Sequence, residues 1–423
     1  MSTTSTIYSS SKQSIKKDRL PGAWVVVALL FFVGTLNYLD RTTIVTMHGS
    51  IVHAIPMTDT QFGLLTSVFL WVYGILSPLA GFLADRYNRS KVIIGSLIVW
   101  SVVTSLTGFA TTFGQLLVTR ALMGISEAAY IPASLALIMD YHRGSTRSLA
   151  TAINIVGMMV GSSLGFLGGW IAENHSWNLA FHIFGIIGVI YFIILAFTLH
   201  DVPEDKKIIP VENKESKVDL FKGFGGLFSN KSFILIFIFW GLLGVVSWMI
   251  MGWLPTYYHA HFNLSQGKAG LYATAYLYPA AIIGLLVGGH LSDRWSKTNP
   301  RGRILLPAIA LCIAAVGIFI AGSTSVLFLA IILFVVYSMM RTCSDANLMP
   351  VLCMVADPKY RATGYGILNF FATVIGGIGI YIGGILRDDH FNMGNVFRFS
   401  AILLLIAALL LYLVKTDPNV KNN

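Results

Sequence analysis

The sequence predicts an all-α polytopic membrane protein, twelve transmembrane helices in two pseudo-symmetric six-helix halves, and three observations carry that prediction. Hydrophobic residues make up 55% of the chain and charged residues only 11%, at a mean hydropathy of +0.72; a soluble domain carries about a quarter charged residues. Apolar runs of membrane-spanning length, about 20 residues, recur twelve times. One turn sequence also appears twice, at matching places in the first and second halves of the chain.

In order, the runs fall at roughly 22–45, 60–84, 92–112, 114–139, 148–172, 178–200, 232–258, 266–292, 304–321, 325–355, 361–386 and 394–414. The polar stretch 1–21 carries Lys12, Lys16, Lys17 and Arg19 without a cleavage-site pattern. It reads as a cytoplasmic tail leading into a retained span, not a removable signal peptide. Residues 22–200 form the N-terminal half and 232–414 the C-terminal half. Between them, 201–231 mixes acids with bases and ends in Phe221, Phe224, Leu227 and Phe228. That pattern fits a solvated linker closing in an interfacial amphipathic helix. Residues 415–423 are a second cytoplasmic tail.

Orientation follows from the bases. Of 29 Lys and Arg, 23 lie in the two tails and the loops joining even to odd spans. Lys268, Arg387 and Arg398 fall on the other side, and Arg41, Arg120 and Arg341 inside spans. Basic loops stay in the cytoplasm, so both termini are expected there. The net charge of +10 is then a topology signal, and no nucleic-acid partner is expected. The expected partners are the lipid bilayer and a small ligand. The expected location is a cell membrane, crossed many times, with a bacterial inner membrane favoured, and the expected state is a monomer. Cys312, Cys343 and Cys353 have the spacing of neither a disulfide framework nor a zinc site, and neither a metal nor an organic cofactor is expected. There is no catalytic triad, and Gly376-Gly377-Ile378-Gly379 follows no strand, so it is no nucleotide loop. An enzyme is not expected.

The repeated turn is Gly81-Phe82-Leu83-Ala84-Asp85-Arg86 and, 208 residues on, Gly289-His290-Leu291-Ser292-Asp293-Arg294. Bases follow both copies. Internal repeats of this kind belong to transporters whose sites lie at a repeat interface. Gly81-x-x-x-Asp85-Arg86-x-x-Arg89 resembles the cytoplasmic loop signature of the major facilitator superfamily, and the likeness runs the whole chain. It departs at Asn88, where that signature commonly has Gly. The resemblance implies the superfamily's fold, and a conformational latch formed by Gly81, Asp85, Arg86 and Arg89 with Asp293 and Arg294 of the second copy. A carboxylate there can cap a helix N-terminus or meet an Arg across the bundle. The plainer account is that the loop only sets topology, which Lys and Arg suffice to do.

Ionisable groups in hydrocarbon are costly, and chains that keep them usually use them. The first span holds Asn37-Tyr38-Leu39-Asp40-Arg41-Thr42-Thr43, and the fourth holds Arg120 and Glu127, seven residues apart on one face with Gly124 between them. At 1.5 Å per residue that is about 10.5 Å along the axis. The same rise places Asp40, Arg41 and Arg120 at similar depth, with Glu127 and Tyr73 nearer the middle. A carboxylate out of water is driven toward its neutral form, and a neighbouring guanidinium opposes this. An anion bound to the Arg weakens that opposition, so binding and protonation are linked. The planar fork of Arg suits a carboxylate ligand. The plain alternative is a set of structural ion pairs, which stabilise little because desolvation offsets their attraction.

Asp40-Arg41 with Arg120-x6-Glu127 resembles the anion:cation symporter branch of the superfamily, which includes transporters of galactonate, hexuronates and sialic acid. The resemblance implies that Asp40 and Glu127 carry protons, the coupling ion, while Arg41 and Arg120 hold the substrate carboxylate or respond to the acids. Tyr73 would offer it a hydroxyl, and Gly366-Ile367-Leu368-Asn369-Phe370 is similar to the branch's helix 11 motif, with Asn369 facing the cavity. Arg341, four residues before Asp345, fits no family motif and is a candidate second anchor. The implied function is proton-coupled symport of a small organic anion by alternating access, the substrate a sugar acid such as a hexuronate, aldonate or sialic acid. The first alternative is a transporter of lysolipid or lipid-like anions, because the Spinster branch is similar in its Asp-Arg pair in helix 1 and its acid in helix 4. The second is a membrane sensor without transport, acting through 201–231.

Overall fold

The computed structural model describes residues 19–144, 146–202 and 220–415, apart from the side chains of 83–85 and 220–224. Most of the first tail, most of the 201–231 linker and nearly all of the second tail lie outside the described residues. Twelve helices are long and apolar enough to cross a membrane: α1 Ala23–Thr46, α2 Asp59–Phe82, α3 Arg89–Thr107, α4 Phe113–Tyr141, α5 Arg147–Asn174, α6 Trp177–Thr198, α7 Lys231–His261, α8 Gln266–Ser296, α9 Gly302–Ala321, α10 Leu327–Cys353, α11 Pro358–Asp388 and α12 Met393–Leu413. Each lies within a few residues of the run expected for it. Short helices His48–Ala54 and Leu220–Ser229 precede α2 and α7. Among the described residues there is no strand, only an isolated bridge between Arg19 and His142.

Helix is the natural state for such runs, because hydrocarbon offers the main chain no water to bond. Polar residues set the starts: Asn88, Thr112, Ser176, Asn230, Ser265 and Asn392 each accept from a first-turn amide of α3, α4, α6, α7, α8 and α12. Asn88 has φ −60°, so the position needs no glycine, and its side chain caps α3. This explains how the loop tolerates its departure from the signature. α4 turns immediately after Glu127, and α8 turns at Ala275–Tyr276. Pro132 and Pro279 stand four residues beyond Ala128 and Ala275 and cannot donate back to those carbonyls.

Within the first half α1 packs on α5, α2 on α4 and α3 on α6; within the second, α7 packs on α11, α8 on α10 and α9 on α12. The paired turns foretold this repeat. The halves meet along α2–α11 and α5–α8, which are equivalent under the same repeat. Since lipid is as apolar as leucine, close van der Waals contact does the packing work that water exclusion does elsewhere. At the α1–α5 contact, a Cβ on Gly161 would overlap the Thr35 carbonyl, and one on Gly157 the Phe31 carbonyl. Gly161→Ala is therefore expected to cost about 1–3 kcal/mol, because main chain cannot step aside as a side-chain tip can. Gly95→Ala, with nothing within 4 Å of the added carbon, should be neutral. Thermal unfolding in detergent checks this, and equal stabilities for the two variants would refute the close contact.

Candidate functional site

From Leu39 to Thr46, every residue of α1 is buried. Its threonines satisfy themselves: Thr42 Oγ1 donates to the Tyr38 carbonyl (2.8 Å), Thr43 Oγ1 to Leu39 (2.7 Å) and Thr46 Oγ1 to Gly165 of α5 (2.9 Å). The two charged neighbours diverge. Asp40 turns back into the first half, where Thr104 Oγ1 of α3 donates to its Oδ2 at 3.2 Å. Arg41 turns the other way and donates through Nε to Glu127 Oε2 at 2.7 Å. Its guanidinium lies 4.4 Å from the ring centre of Tyr73, 4.7 Å from Tyr38 and 5.0 Å from Phe69. Such faces attract a cation, so Arg41 is held by three rings and one acid. Arg120 is fully buried, with its guanidinium 5.7 Å from the Phe181 ring of α6. Its Nε and Nη2 have no hydrogen-bond partner, and it lies close enough to both acids to offset their charge. Two acids and two guanidinium groups thus share one buried interior.

A cavity of about 1110 Å³ separates the halves. Arg41, Tyr38 and Tyr73 are on its wall, facing Trp240, Asn369, Arg341 and Asp345 of the second half. Asp40, Glu127 and Arg120 are not: they sit behind Arg41, whose guanidinium joins the buried group to the open space. Arg341 Nη1 donates to Asp345 Oδ2 at 2.6 Å, and both side chains are part-exposed. Asn369 Oδ1 accepts from Trp240 Nε1 at 3.3 Å. Much of the remaining wall is apolar, including Ile131, Leu135, Met158, Met159, Met251 and Phe370. The lining reaches Pro78 and Thr363, near the ends that carry the basic loops, and stops at Arg41 and Met251 in the other direction.

Of the residues read as a latch, Arg89 and Asp293 bond within their own halves. Arg89 pairs with Asp140 and donates to the Ala136 carbonyl at 3.1 Å, both on α4. Asp293 pairs with Arg303 at 2.9 Å. Arg86 and Arg294 are exposed and Gly81 is half-buried, while the Asp85 side chain lies outside the described residues. Sequence reasoning missed three partners. Thr104 was one hydroxyl among several in an apolar run. Asp140 ends α4 with nothing to mark it. Asp201, taken for a linker acid, accepts from the amides of Arg89 (3.1 Å) and Ser90 (2.8 Å) and so caps α3 from the end of α6.

The chain matches the family described as Major Facilitator Superfamily over residues 30–378 and 301–423. Spinster homolog 1 of Xenopus laevis is 26% identical over 388 residues, covering 86% of this chain and 73% of that protein. An MFS-type efflux pump of Mycolicibacterium smegmatis is 27% identical over 400 residues, covering 92% of this chain and 90% of that one. A sphingosine-1-phosphate transporter of Xenopus tropicalis is 25% identical over 400 residues, covering 90% and 77%. The crystal structure of a bacterial homologue of the human lysosomal transporter Spinster, inward-facing and unoccupied, superposes with a TM-score of 0.77 at 24% identity, covering 93% of this chain and 97% of that one. Two of these, Spinster homolog 1 and the bacterial structure, carry the Spinster name, the alternative that the residues left open, and none of the four is named as a sugar-acid symporter.

Removing one partner of a buried ion pair strands the other, at about 3–5 kcal/mol. Glu127→Ala should therefore unfold far more easily than Glu127→Gln, which keeps an oxygen for Arg41 Nε. Melting of the two purified variants checks this, and equal losses would mean that the rings alone hold Arg41.

Proposed function

We propose that this chain, which belongs to the Major Facilitator Superfamily and is a multi-pass membrane transporter, moves a lysolipid-like amphipathic anion by alternating access coupled to protons. The observation that carries this reading is the cavity wall: two guanidinium groups, Arg41 and Arg341, set among methionine, isoleucine, leucine and aromatic side chains. An anionic headgroup suits the first and an acyl chain the second, at about 25 cal/mol per Å² of apolar surface buried. The wall carries hydroxyls as well, those of Ser162, Ser247, Tyr278 and Tyr337 among them, but it offers a sugar acid far more apolar than polar surface, and a polar group buried without a bond costs about 1–3 kcal/mol on mutational scales. Asn369, which the sugar-acid reading needs, already has its oxygen engaged by Trp240. The relatives named for Spinster and for sphingosine-1-phosphate transport support the same class.

Each charged residue then has a task. Arg41 and Arg341 bind the headgroup, with Tyr73 beside it. Arg120, away from the wall, offsets the charge of the two acids. An anion drawn to Arg41 competes with Glu127 for one guanidinium, so substrate binding and protonation of Glu127 help each other, and the linkage is reciprocal. Asp40, behind the same residue, is the second proton carrier. With the basic loops in the cytoplasm, this conformation opens inward. The latch residues would meet across the halves once that end closes.

Reconstituted into liposomes, the protein is expected to bind and transport sphingosine 1-phosphate or lysophosphatidate in preference to galactonate, with accumulation enhanced by a proton gradient. Arg41→Ala or Arg341→Ala should weaken lysolipid binding about tenfold or more, the worth of one charge-assisted contact. Saturable galactonate uptake with no lysolipid binding would overturn the proposal. Glu127→Gln should retain substrate exchange and lose proton-driven accumulation; normal accumulation in that variant would remove Glu127 from coupling.

A further inference from the structure

The end of the molecule away from the basic loops is closed by two carboxylate caps of one kind. Glu173, in the last turn of α5, accepts from the Gly267 amide in the first turn of α8 at 2.6 Å. Asp388, the last residue of α11, accepts from the amides of Asp59 and Thr60 in the first turn of α2, at 2.8 and 2.9 Å. α5 and α11 are counterparts under the repeat, as are α2 and α8. Each bond passes from one half to the other, and the two run in opposite directions. The amides of Asp59 and Gly267 are 208 residues apart, the offset that also separates Gly81 from Gly289. A carboxylate of each half therefore caps a helix of the other, at positions the repeat makes equivalent.

These acids are not needed to start the helices they cap. Ser265 Oγ already accepts from the Lys268 amide of α8, and Thr58 Oγ1 accepts from the Gln61 amide of α2. What each carboxylate adds is a charge at the positive end of a helix belonging to the opposite half. Neighbouring bonds cross the same seam: Arg387 Nε of α11 donates to Asp59 Oδ2 at 3.0 Å, and Gln266 Oε1 accepts from the Ser50 amide at 2.9 Å. All must release before that end can open. Asp388 and Glu173 are exposed, so water is at hand to replace the amides as they part, which keeps the bonds weak enough to break in every cycle.

We infer that this pair of reciprocal caps is the lock that holds the end opposite the basic loops closed, and that the charge of the two acids sets how often it opens. The inference needs alternating access but not a particular substrate, so it stands or falls separately from the lysolipid reading.

Spin labels test it. With Cys312, Cys343 and Cys353 replaced, Ala54→Cys and Ser323→Cys report the locked end, while Tyr87→Cys and Lys297→Cys report the basic end. Glu173→Gln and Asp388→Asn keep an acceptor oxygen and lose the charge. Each is expected to raise the population with long distances at the locked end and short ones at the basic end about two- to fivefold. The double variant should give close to the product, since the two sites share no partner. Asp389→Asn, a change of charge at the neighbouring residue, should leave both distributions as in the parent. The inference fails if both single variants match the parent, if Asp389→Asn gives the same shift, or if the locked end spreads with no closing at the basic end.

Discussion

A guanidinium held between a carboxylate behind it and a cavity in front of it, as Arg41 is, constrains everything packed around it. Its bond to Glu127 fixes the rotation of α1 against α4. Tyr38, Phe69 and Tyr73 then have to present ring faces rather than edges, since only a face attracts a cation. With Arg41 so placed, Asp40 points to a different side of α1, because adjacent helix residues are about 100° apart. It needs its own donor, and Thr104 supplies one. Arg120 completes the group without touching the cavity. Four charges whose formal sum is zero can share an interior that could hold none of them singly.

The same economy governs the rest of the fold. A polar atom in hydrocarbon has no water to fall back on, so α1 returns its threonine hydroxyls to carbonyls and polar residues open many of the helices. The carboxylates Asp201, Glu173 and Asp388 extend this between elements, each capping a helix other than its own. Asp201 stays within the first half and ties α6 to α3. Glu173 and Asp388 cross between halves. A cap within a half strengthens a unit that moves as one body, whereas a cap across halves belongs to one conformation of the pair.

Much of the architecture was legible in the sequence because it rests on length, hydropathy and repetition, which are properties of runs. The twelve helices, the six-plus-six division and the equivalence of α2 with α8 all followed from such properties. The charged group was legible as a set, because ionisable residues inside apolar runs stand out one by one. Its internal pairing was not. The resemblance to the anion:cation symporter branch put Arg41 and Arg120 on one carboxylate, and the helical rise placed them at similar depth. The structure pairs Arg41 with Glu127 and leaves Arg120 behind the wall, because helix rotation decides partners and spacing along one helix does not reveal rotation against another. The preference for a sugar acid came from the resemblance carried by Asp40-Arg41 and Arg120-x6-Glu127, which the Met, Ile and Leu that line the cavity could not counter, because they looked like any other membrane-spanning residues.

The division of charge between the halves bears on how the transporter works. In the first half, acids and bases are buried and bonded between helices, α1 to α4 and α1 to α3, so a change of proton or ligand there alters how helices fit together. In the second half, Arg341 and Asp345 lie on one helix, four residues apart, and satisfy each other locally. Such an i,i+4 pair can open to a ligand and close again without moving its helix. Under the proposed function, the first half would convert binding into a change of packing and the second would recognise the ligand. A substrate lying between Arg41 and Arg341 would couple the two, because only a molecule spanning the cavity pulls on the guanidinium that holds Glu127 while it is anchored on the other side.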